Sequence, residues 1–370
     1  MRILLVIEPS GGGSGRHVVD LAQMLIDGGH AVSLIYSPTR AEPLFEAEAA
    51  ALPLEHLERL PMRRAVGPSD VGVLFALRRL MARLGPFDIV HGHSAKAGAL
   101  VRLAAPAKAA RIYTPHALAT QQGFSPASAF YGLIETLLAH SSSEAVIAVS
   151  DDEARHARGW RFPTEKLHVV LNGLAPPPAA TDRLAARAAL GVSDDVWVVG
   201  FVGRLCAQKD PVRFAQALRL ARLQDPTILG VVVGDGALGD DVRAAGSDAI
   251  RMVGARNARM LAPGFDLFAM TSLYEGFSYA MVEAAVAGLP ILTTEVGGVS
   301  ALVEAGASID RLPVDATPQQ LAQAMIAIRG RSAAPTPAPT LINRFSVSRM
   351  AAETVAIYRQ AYARRRRVRG

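Results

Sequence analysis

Short apolar runs alternate with stretches in which apolar residues recur every three or four positions, and the pattern is played twice, on either side of a proline-rich break. In the first half Arg2–Ile7 and Ala31–Tyr36 read as buried strands, followed by shorter apolar runs at 88–91, 112–114, 145–149 and 168–170. Between them, 17–27 places Val18, Leu21, Ala22 and Leu25 at helical spacing, and 71–84 reads as a helix closed by Gly85-Pro86. Runs that are apolar on both faces and separated by helices are the signature of a parallel sheet covered on both sides. Pro176-Pro177-Pro178 then breaks the pattern, because proline neither continues a helix nor pairs within a sheet. The alternation restarts with strands at Trp197–Val202, Ile228–Val233, Leu267–Met270 and 291–293, and helices at 212–222 and 279–287. A second proline-rich stretch, 335–339, precedes a last helix that starts near Ser346, a residue suited to an N-cap. That helix carries Val347, Met350, Ala351, Thr354, Tyr358 and Ala361 on one face.

A chain of 370 residues is too long for one comfortable core. The expected fold is α/β, with two doubly wound Rossmann-like domains facing a central cleft. Residues 1–175 form the first domain and 176–342 the second. Residues 343–370 form a C-terminal amphipathic helix and basic tail that pack back toward the first. Ligands of such sheets lie beyond the carboxyl ends of the strands, so the loops there are where chemistry is expected.

Composition removes several classes. One cysteine, Cys206, rules out a disulfide framework and fits a reducing compartment. The apolar run at the N-terminus is shorter than a secretory signal requires, and no segment approaches the ~20 apolar residues that span a bilayer. A cytoplasmic protein, at most peripheral on the inner face of the membrane, is therefore expected. The formal charge is +6, and its excess is clustered at Arg59, Arg63 and Arg64, at Arg78, Arg79 and Arg83, and in the tail from Arg364 to Arg367 and at Arg369. Each basic residue near a surface gains about 1 kcal/mol from anionic headgroups. Nucleic acid attracts the same clusters, and a solvated basic face is the plainer alternative. No nucleic-acid partner is expected.

The first strand runs into Gly11-Gly12-Gly13-Ser14-Gly15. Glycines at that place let backbone N–H groups approach an anion at a helix N-terminus. A dinucleotide site would want a third glycine where Arg16 stands and an acidic residue where the second strand ends in Ile35-Tyr36-Ser37. No Gly-Lys-Ser/Thr follows, so a phosphate P-loop is excluded; a tight turn without a ligand stays open.

In the second half, Val202-Gly203-Arg204 begins a loop that reaches Lys209 just before a helix. Two cations beside helix-start amides suit a diphosphate, with arginine as a fork and lysine as a point charge. Further on, Glu275-Gly276-Phe277-Ser278 leads into a helix that carries Glu283. Eight helical residues separate their carboxylates by ~12 Å, too far for the acid–nucleophile pair of a retaining glycosidase. The two glutamates thus serve different parts of one extended ligand or do unrelated things. Glu283 among Met281, Val282, Ala284, Ala285 and Val286 calls for a partner such as ribose hydroxyls.

These residues, with Gly12-Gly13 and His17, His91-Gly-His93-Ser94-Ala-Lys96, His116, Val-Ser150-Asp, Leu171-Asn172-Gly173, Gly234-Asp235-Gly236 and Gly297-Gly298, make the chain resemble family 4 of the retaining, nucleotide-sugar-dependent glycosyltransferases of GT-B fold. The His91–Lys96 stretch looks like members that build bacterial exopolysaccharide or lipid-linked oligosaccharide. The resemblance implies a hexose-type sugar moved from a UDP- or GDP-sugar to a glycan or polyprenyl-diphosphate-linked acceptor, without a metal or other cofactor. It implies that Arg204 and Lys209 neutralise the departing diphosphate and that Glu283 binds ribose. Glu275, Phe277 and Ser278 would address the transferred sugar and adjacent phosphate. Gly12 and Gly13 would offer amides to the diphosphate, and His116 would lie near the donor sugar. Retention by front-face attack, guided by the leaving phosphate, is inherited in the same way. No Asp-x-Asp or His-Glu-x-x-His metal motif occurs.

Of the nine histidines, His17 and His91 read as hydrogen-bonded structural residues, and the role of His93 stays open. Zinc on His91, His93 and His116 is disfavoured by the lack of an acidic or cysteine ligand nearby. Two rival functions remain: a non-hydrolysing sugar-nucleotide epimerase, and a non-catalytic nucleotide-sugar-binding protein.

Overall fold

The computed structural model describes residues 1–63, 66–123, 125–175, 182–331 and 339–367. Arg64, the Pro176–Pro178 run, most of the 335–339 stretch and Arg369 lie outside the described residues. The chain divides into two compact units: Met1–Ala175 with the segment from Ser346 onward, and Pro176–Phe345. Among the described residues no helix is long and apolar enough to cross a membrane.

The first unit begins with β1 (Arg2–Ile7), α1 (Gly12–Asp27), β2 (Ala31–Tyr36), α2 (Pro43–Ala51) and β3 (His56–Arg59). It continues with α3 (Ser69–Leu84), β4 (Ile89–His93), α4 (Ala95–Ala104), β5 (Ala110–Thr114), α5 (Pro126–Ser142), β6 (Ala145–Ala148), α6 (Asp151–Gly159) and β7 (Leu167–Val169). The sheet order is β3-β2-β1-β4-β5-β6-β7, every pair parallel. Side chains of a strand alternate between faces, so Ile3, Leu5 and Ile7 join one core while Leu4 and Val6 join the other. The first core takes in α1 and the last helix of the chain; the second lies under α3 and α4.

The second unit contains α7 (Arg183–Leu190), β8 (Trp197–Val202), α8 (Pro211–Gln224), β9 (Ile228–Val233), α9 (Gly239–Gly246), β10 (Ile250–Gly254) and α10 (Ala258–Leu261). Then come β11 (Leu267–Met270), α11 (Tyr279–Val286), β12 (Ile291–Thr294), α12 (Val299–Glu304), β13 (Ile309–Leu312), α13 (Pro318–Arg329) and α14 (Pro339–Arg344). Its sheet is again wholly parallel, in the order β10-β9-β8-β11-β12-β13. Both sheets reverse strand order once, at β1/β4 and at β8/β11, and a doubly wound fold opens its ligand crevice at such a reversal.

The last helix, α15 (Val347–Arg367), packs against α1 and β5 of the first unit. It buries Val347, Met350, Ala351, Thr354, Ile357, Tyr358 and Ala361. Each large apolar side chain so buried is worth about 1.5–3 kcal/mol. The segment is joined to the unit edge by Val347 N–H donating to the Leu174 carbonyl at 2.9 Å.

Candidate active site

At the reversal of the second sheet, two loops are tied together. The loop after β8 carries Gly203, Arg204 and Lys209; the loop after β11 carries Thr271 to Ser278. Leu273 N–H donates to the Gln208 carbonyl at 2.8 Å, and the Gln208 amide donates to the Tyr274 carbonyl at 3.0 Å. The Thr271 hydroxyl bonds the carbonyls of Lys209 (3.0 Å) and Asp210 (2.8 Å). Arg213 pairs with Asp210 at 2.9 Å and donates to the Thr271 carbonyl at 2.7 Å. This lacing brings Lys209 Nζ to 2.7 Å from Glu275 Oε1, with both side chains largely buried. The contact is an ion pair whose angles do not make a well-directed hydrogen bond. Arg204, by contrast, is exposed and makes no ion pair among the described residues. One cation is thus held in place by a carboxylate while the other is open to an incoming anion.

Glycines give these loops their shape. Gly203 (φ 154°), Gly234 (φ 149°) and Gly236 (φ 154°) cluster where the loops after β8 and β9 touch; a Cβ on Gly234 would run into the Gly203 carbonyl. Gly203 N–H bonds Val233, and Leu205 N–H bonds Asp235 at 2.9 Å, so the strand end that bears Arg204 is fixed. After β12, a Cβ on Gly297 would meet the Glu275 carbonyl, and one on Gly298 (φ +88°) would overlap the Phe277 ring. The Gly297-Gly298 pair therefore makes room for the glutamate-bearing loop. Phe277 is buried and stacks edge-on with Phe345 at 5.6 Å. Helix α11 starts at Ser278, whose side chain makes no cap hydrogen bond, and its first turn contains no acidic residue. Such a helix start suits an anion. Glu283 sits half-buried near the far end of the same helix.

The first unit places different chemistry at its own reversal. His93 ends β4, His116 follows β5, and His17 lies on α1. His93 Nδ1 is 3.0 Å from His116 Nε2, and His17 Nδ1 is 3.1 Å from Asn172 Oδ1. The ring of His17 packs on His116 at 4.7 Å and on His93 at 5.5 Å. Burial lowers His17 to about 4, against a hydrogen bond to the Asn172 side-chain oxygen that raises it. Burial, with the neighbouring imidazoles, holds His91, His93 and His116 well below the ordinary value. All four are neutral at pH 7. A neutral imidazole serves sugar hydroxyls better than phosphates, since it brings a donor and an acceptor but no charge.

His116 keeps an exposed edge and a left-handed backbone (φ 55°), followed by Ala117 (φ 88°). Two such non-glycine residues in succession cost about 1–3 kcal/mol each and persist only where neighbours enforce them. Glu153 does so: fully buried, it accepts the N–H of Ala117 at 2.7 Å and of Val149 at 2.8 Å. Burial pushes its carboxyl up to about 7, against those backbone bonds. Sequence reasoning missed Glu153, although Ser150-x-x-Glu153 is the pattern of a helix start. Ser150 does cap α6, but the glutamate reaches past the cap to hold the preceding loops.

His17, His93 and His116 offer ring nitrogens that all lie within 4.8 Å of one another, a spacing able to hold a metal ion. The set differs from the one considered from sequence: His91 is spent on Tyr358 (2.6 Å) and Thr114 (2.8 Å), and His17 takes its place. At the N-terminus of α1, Gly12 (φ 56°) donates its N–H to Glu42 at 2.9 Å, and a Cβ on Gly11 would meet the same side chain. Glu42 thus holds the anion position at this helix end, while Gly13 is exposed in the first turn.

Two unlike clusters of polar side chains, each at the reversal of a wholly parallel sheet, fit a two-domain group-transfer enzyme. Residues 12–173 match the glycosyl transferase 4-like domain and residues 197–329 the glycosyl transferases group 1 domain. The chain belongs to the family 4-like glycosyltransferases of GT-B fold. It is 28% identical over 254 residues to UDP-Gal:alpha-D-GlcNAc-diphosphoundecaprenol alpha-1,3-galactosyltransferase of Escherichia coli, a match spanning 64% of each chain. It is 27% identical over 331 residues to a D-inositol 3-phosphate glycosyltransferase of Stackebrandtia nassauensis, covering 80% of this chain and 74% of the relative. Among solved structures, Anabaena HepE in complex with UDP and glucose superposes with a TM-score of 0.79, at 23% identity, over 96% of this chain and 99% of that one.

Proposed function

We propose that the protein is a retaining, metal-independent transferase that moves a hexose-type sugar from a UDP-sugar to a lipid-linked glycan acceptor during cell-surface polysaccharide synthesis. The observation that carries the reading is the open guanidinium of Arg204 beside the braced Lys209–Glu275 pair, on loops that meet at the reversal of the second sheet. Its two cations suit the charge that accumulates on a departing diphosphate, and fixed charges aimed at a developing anion are worth several kcal/mol. The choice of UDP and of a lipid-linked acceptor is supported by the Escherichia coli relative and by HepE with UDP-glucose; GDP is the competing base.

In this reading the start of α11, at Phe277 and Ser278, receives a phosphate and Glu283 binds the ribose hydroxyls. Gly13, and Gly12 once its N–H leaves Glu42, offer amides to the diphosphate, and His116, as an uncharged imidazole, bonds a hydroxyl of the transferred sugar. Glu275 is held by Lys209, which leaves it poorly placed as a free nucleophile and favours attack on the face that the diphosphate leaves. The cations carry the work a metal does in other transferases.

Thermal stabilisation by UDP, GDP and ADP, with EDTA present, tests the reading. UDP at a hundred times its dissociation constant should add ~2.7 kcal/mol, and Arg204→Ala should abolish the shift. Stabilisation only when a divalent metal replaces EDTA would overturn metal independence. No shift with any nucleotide would overturn the donor site. Turnover of the UDP-sugar into an isomer without acceptor would replace the transferase with an epimerase.

A further inference from the structure

The helices α3, α4 and α5 form a single layer over one face of the first sheet, with α4 packed against both neighbours. Helix α5 is amphipathic in the wrong sense. Its inward residues are Ser128, Gly132, Glu135, Leu138 and Ala139, while Phe130, Leu133 and Leu137 point to solvent at 58, 64 and 63% exposure. The helix is nevertheless firmly seated. Gly132 lies against Trp160 and Thr120, where a Cβ would collide, and Glu135 is buried with its carboxylate on the Tyr113 hydroxyl and its carbonyl on Arg102. The outward stripe is therefore a property of a well-anchored helix. Its neighbours extend it: Leu103 on α4, and Val71 and Phe75 on α3, are each about half exposed.

The same layer is cationic. Arg78 donates to the Leu103 carbonyl at 2.9 Å, which sets a guanidinium beside the apolar side chains, and Arg79 is exposed next to it. Lys108, in the loop after α4, and Arg161, which follows α6 and meets His140 of α5 through its carbonyl at 2.9 Å, are both exposed. Arg79, Lys108 and Arg161 make no ion pair among the described residues. The three helices hold only two carboxylates, Asp70, which is paired with Lys96, and the buried Glu135. Of the other clustered arginines, Arg59 pairs with Glu46 and Arg83 with Glu58.

We infer that the outer face of α3, α4 and α5 docks on an anionic lipid surface, with Phe130, Leu133 and Leu137 entering the headgroup region and Arg78 and Arg79 meeting its phosphates. Apolar side chains rimmed by unpaired cations are the recognition chemistry of an interfacial helix. A second copy of the chain is a poorer occupant, because a symmetric pair would set the arginines of one copy against those of the other. The inference rests on the lipid-linked acceptor for its purpose, since it brings the enzyme to the surface where such an acceptor lies.

Flotation of the full chain with phosphatidylglycerol-containing and with pure phosphatidylcholine vesicles tests it, without nucleotide. Wild type should float with the anionic vesicles only. The Phe130→Ser, Leu133→Ser, Leu137→Ser variant should lose more than about tenfold in partitioning, and Arg78→Ala, Arg79→Ala a smaller, salt-sensitive share. All five positions are exposed, and an unchanged melting shift with UDP checks that the fold and donor site persist in each variant. Equal binding to both vesicles, or undiminished binding of the triple variant, would overturn the inference. So would a concentration-dependent dimer that the triple variant abolishes. Vesicle binding with no UDP shift would leave the docking surface standing and the donor reading fallen.

Discussion

The two units share a topology and differ in what they place at its reversal. All nine histidines of the chain lie at or before His168, and the second unit has none. The first site is built from buried, uncharged imidazoles and a buried glutamate that holds a strained turn. The second is built from a salt bridge and an exposed arginine. A parallel sheet fixes where a ligand can lie; the side chains at the strand ends decide whether it meets neutral hydrogen-bonding groups or charge. Sugars and diphosphates make those two demands.

The largest effect should separate the two cations of the second site. Arg204→Ala should lower turnover by about 10²–10³-fold and leave the melting temperature unchanged, because its side chain is open to solvent. Lys209→Ala should lower turnover as much and also destabilise the fold by roughly 3 kcal/mol, since it strands the largely buried Glu275. Lys209→Ala, Glu275→Ala together should recover most of that stability and none of the activity. If both single variants melt alike, the distinction between the braced and the open cation is wrong.

A second test sets the units against each other through pH. His17, His91, His93 and His116 are all lowered by burial, so their contribution is whole above the unfolded value of 6.5 and is lost as pH falls below it. For His17, which falls to about 4, the full loss is roughly 3 kcal/mol. Glu153, raised to about 7, and Glu135, also raised, act in the opposite sense: their contribution is lost as pH rises from 4.5. Four lowered groups against two raised ones leave a net loss of stability as pH falls below 6.5. Calorimetry at pH 7 and pH 5 should show the histidine-bearing unit melting earlier in acid while the second unit moves little. A first unit at least as stable at pH 5 would show that its imidazoles are not buried as described.

The smallest effect concerns the helix end that Glu42 holds. Glu42→Gln should tighten UDP binding by about threefold, the scale of one charge at a helix N-terminus, as read by titration calorimetry. Unchanged affinity would remove Gly12 and Gly13 from the diphosphate site and leave the donor to the second unit alone.

Much of this was legible from the chain itself. The central strands are apolar on both faces, and β1, β2, β8, β9 and β11 lie where the apolar runs place them. The strands that sequence missed, β3, β10 and β13, are all at sheet edges. Half-exposed runs such as His56–Arg59 and Ile309–Leu312 carry no apolar block to read, so only their partners define them. Arg204, Lys209, Glu275 and Glu283 stood out because charge beside glycine at a strand end, or amid apolar helix residues, is costly without a purpose.

What the sequence determined by itself was local: strand and helix periods, the glycines that turn loops, and the residue types available at strand ends. What only the tertiary structure decided was pairing over long separation. It set Lys209 on Glu275, brought the ring nitrogens of His17 rather than those of His91 within ligating reach of His93 and His116, and sent Glu153 to hold Ala117. It also turned the apolar face of α5 outward. Period fixes which residues share a face, but whether that face meets a core, a ligand or solvent depends on what the rest of the chain brings against it.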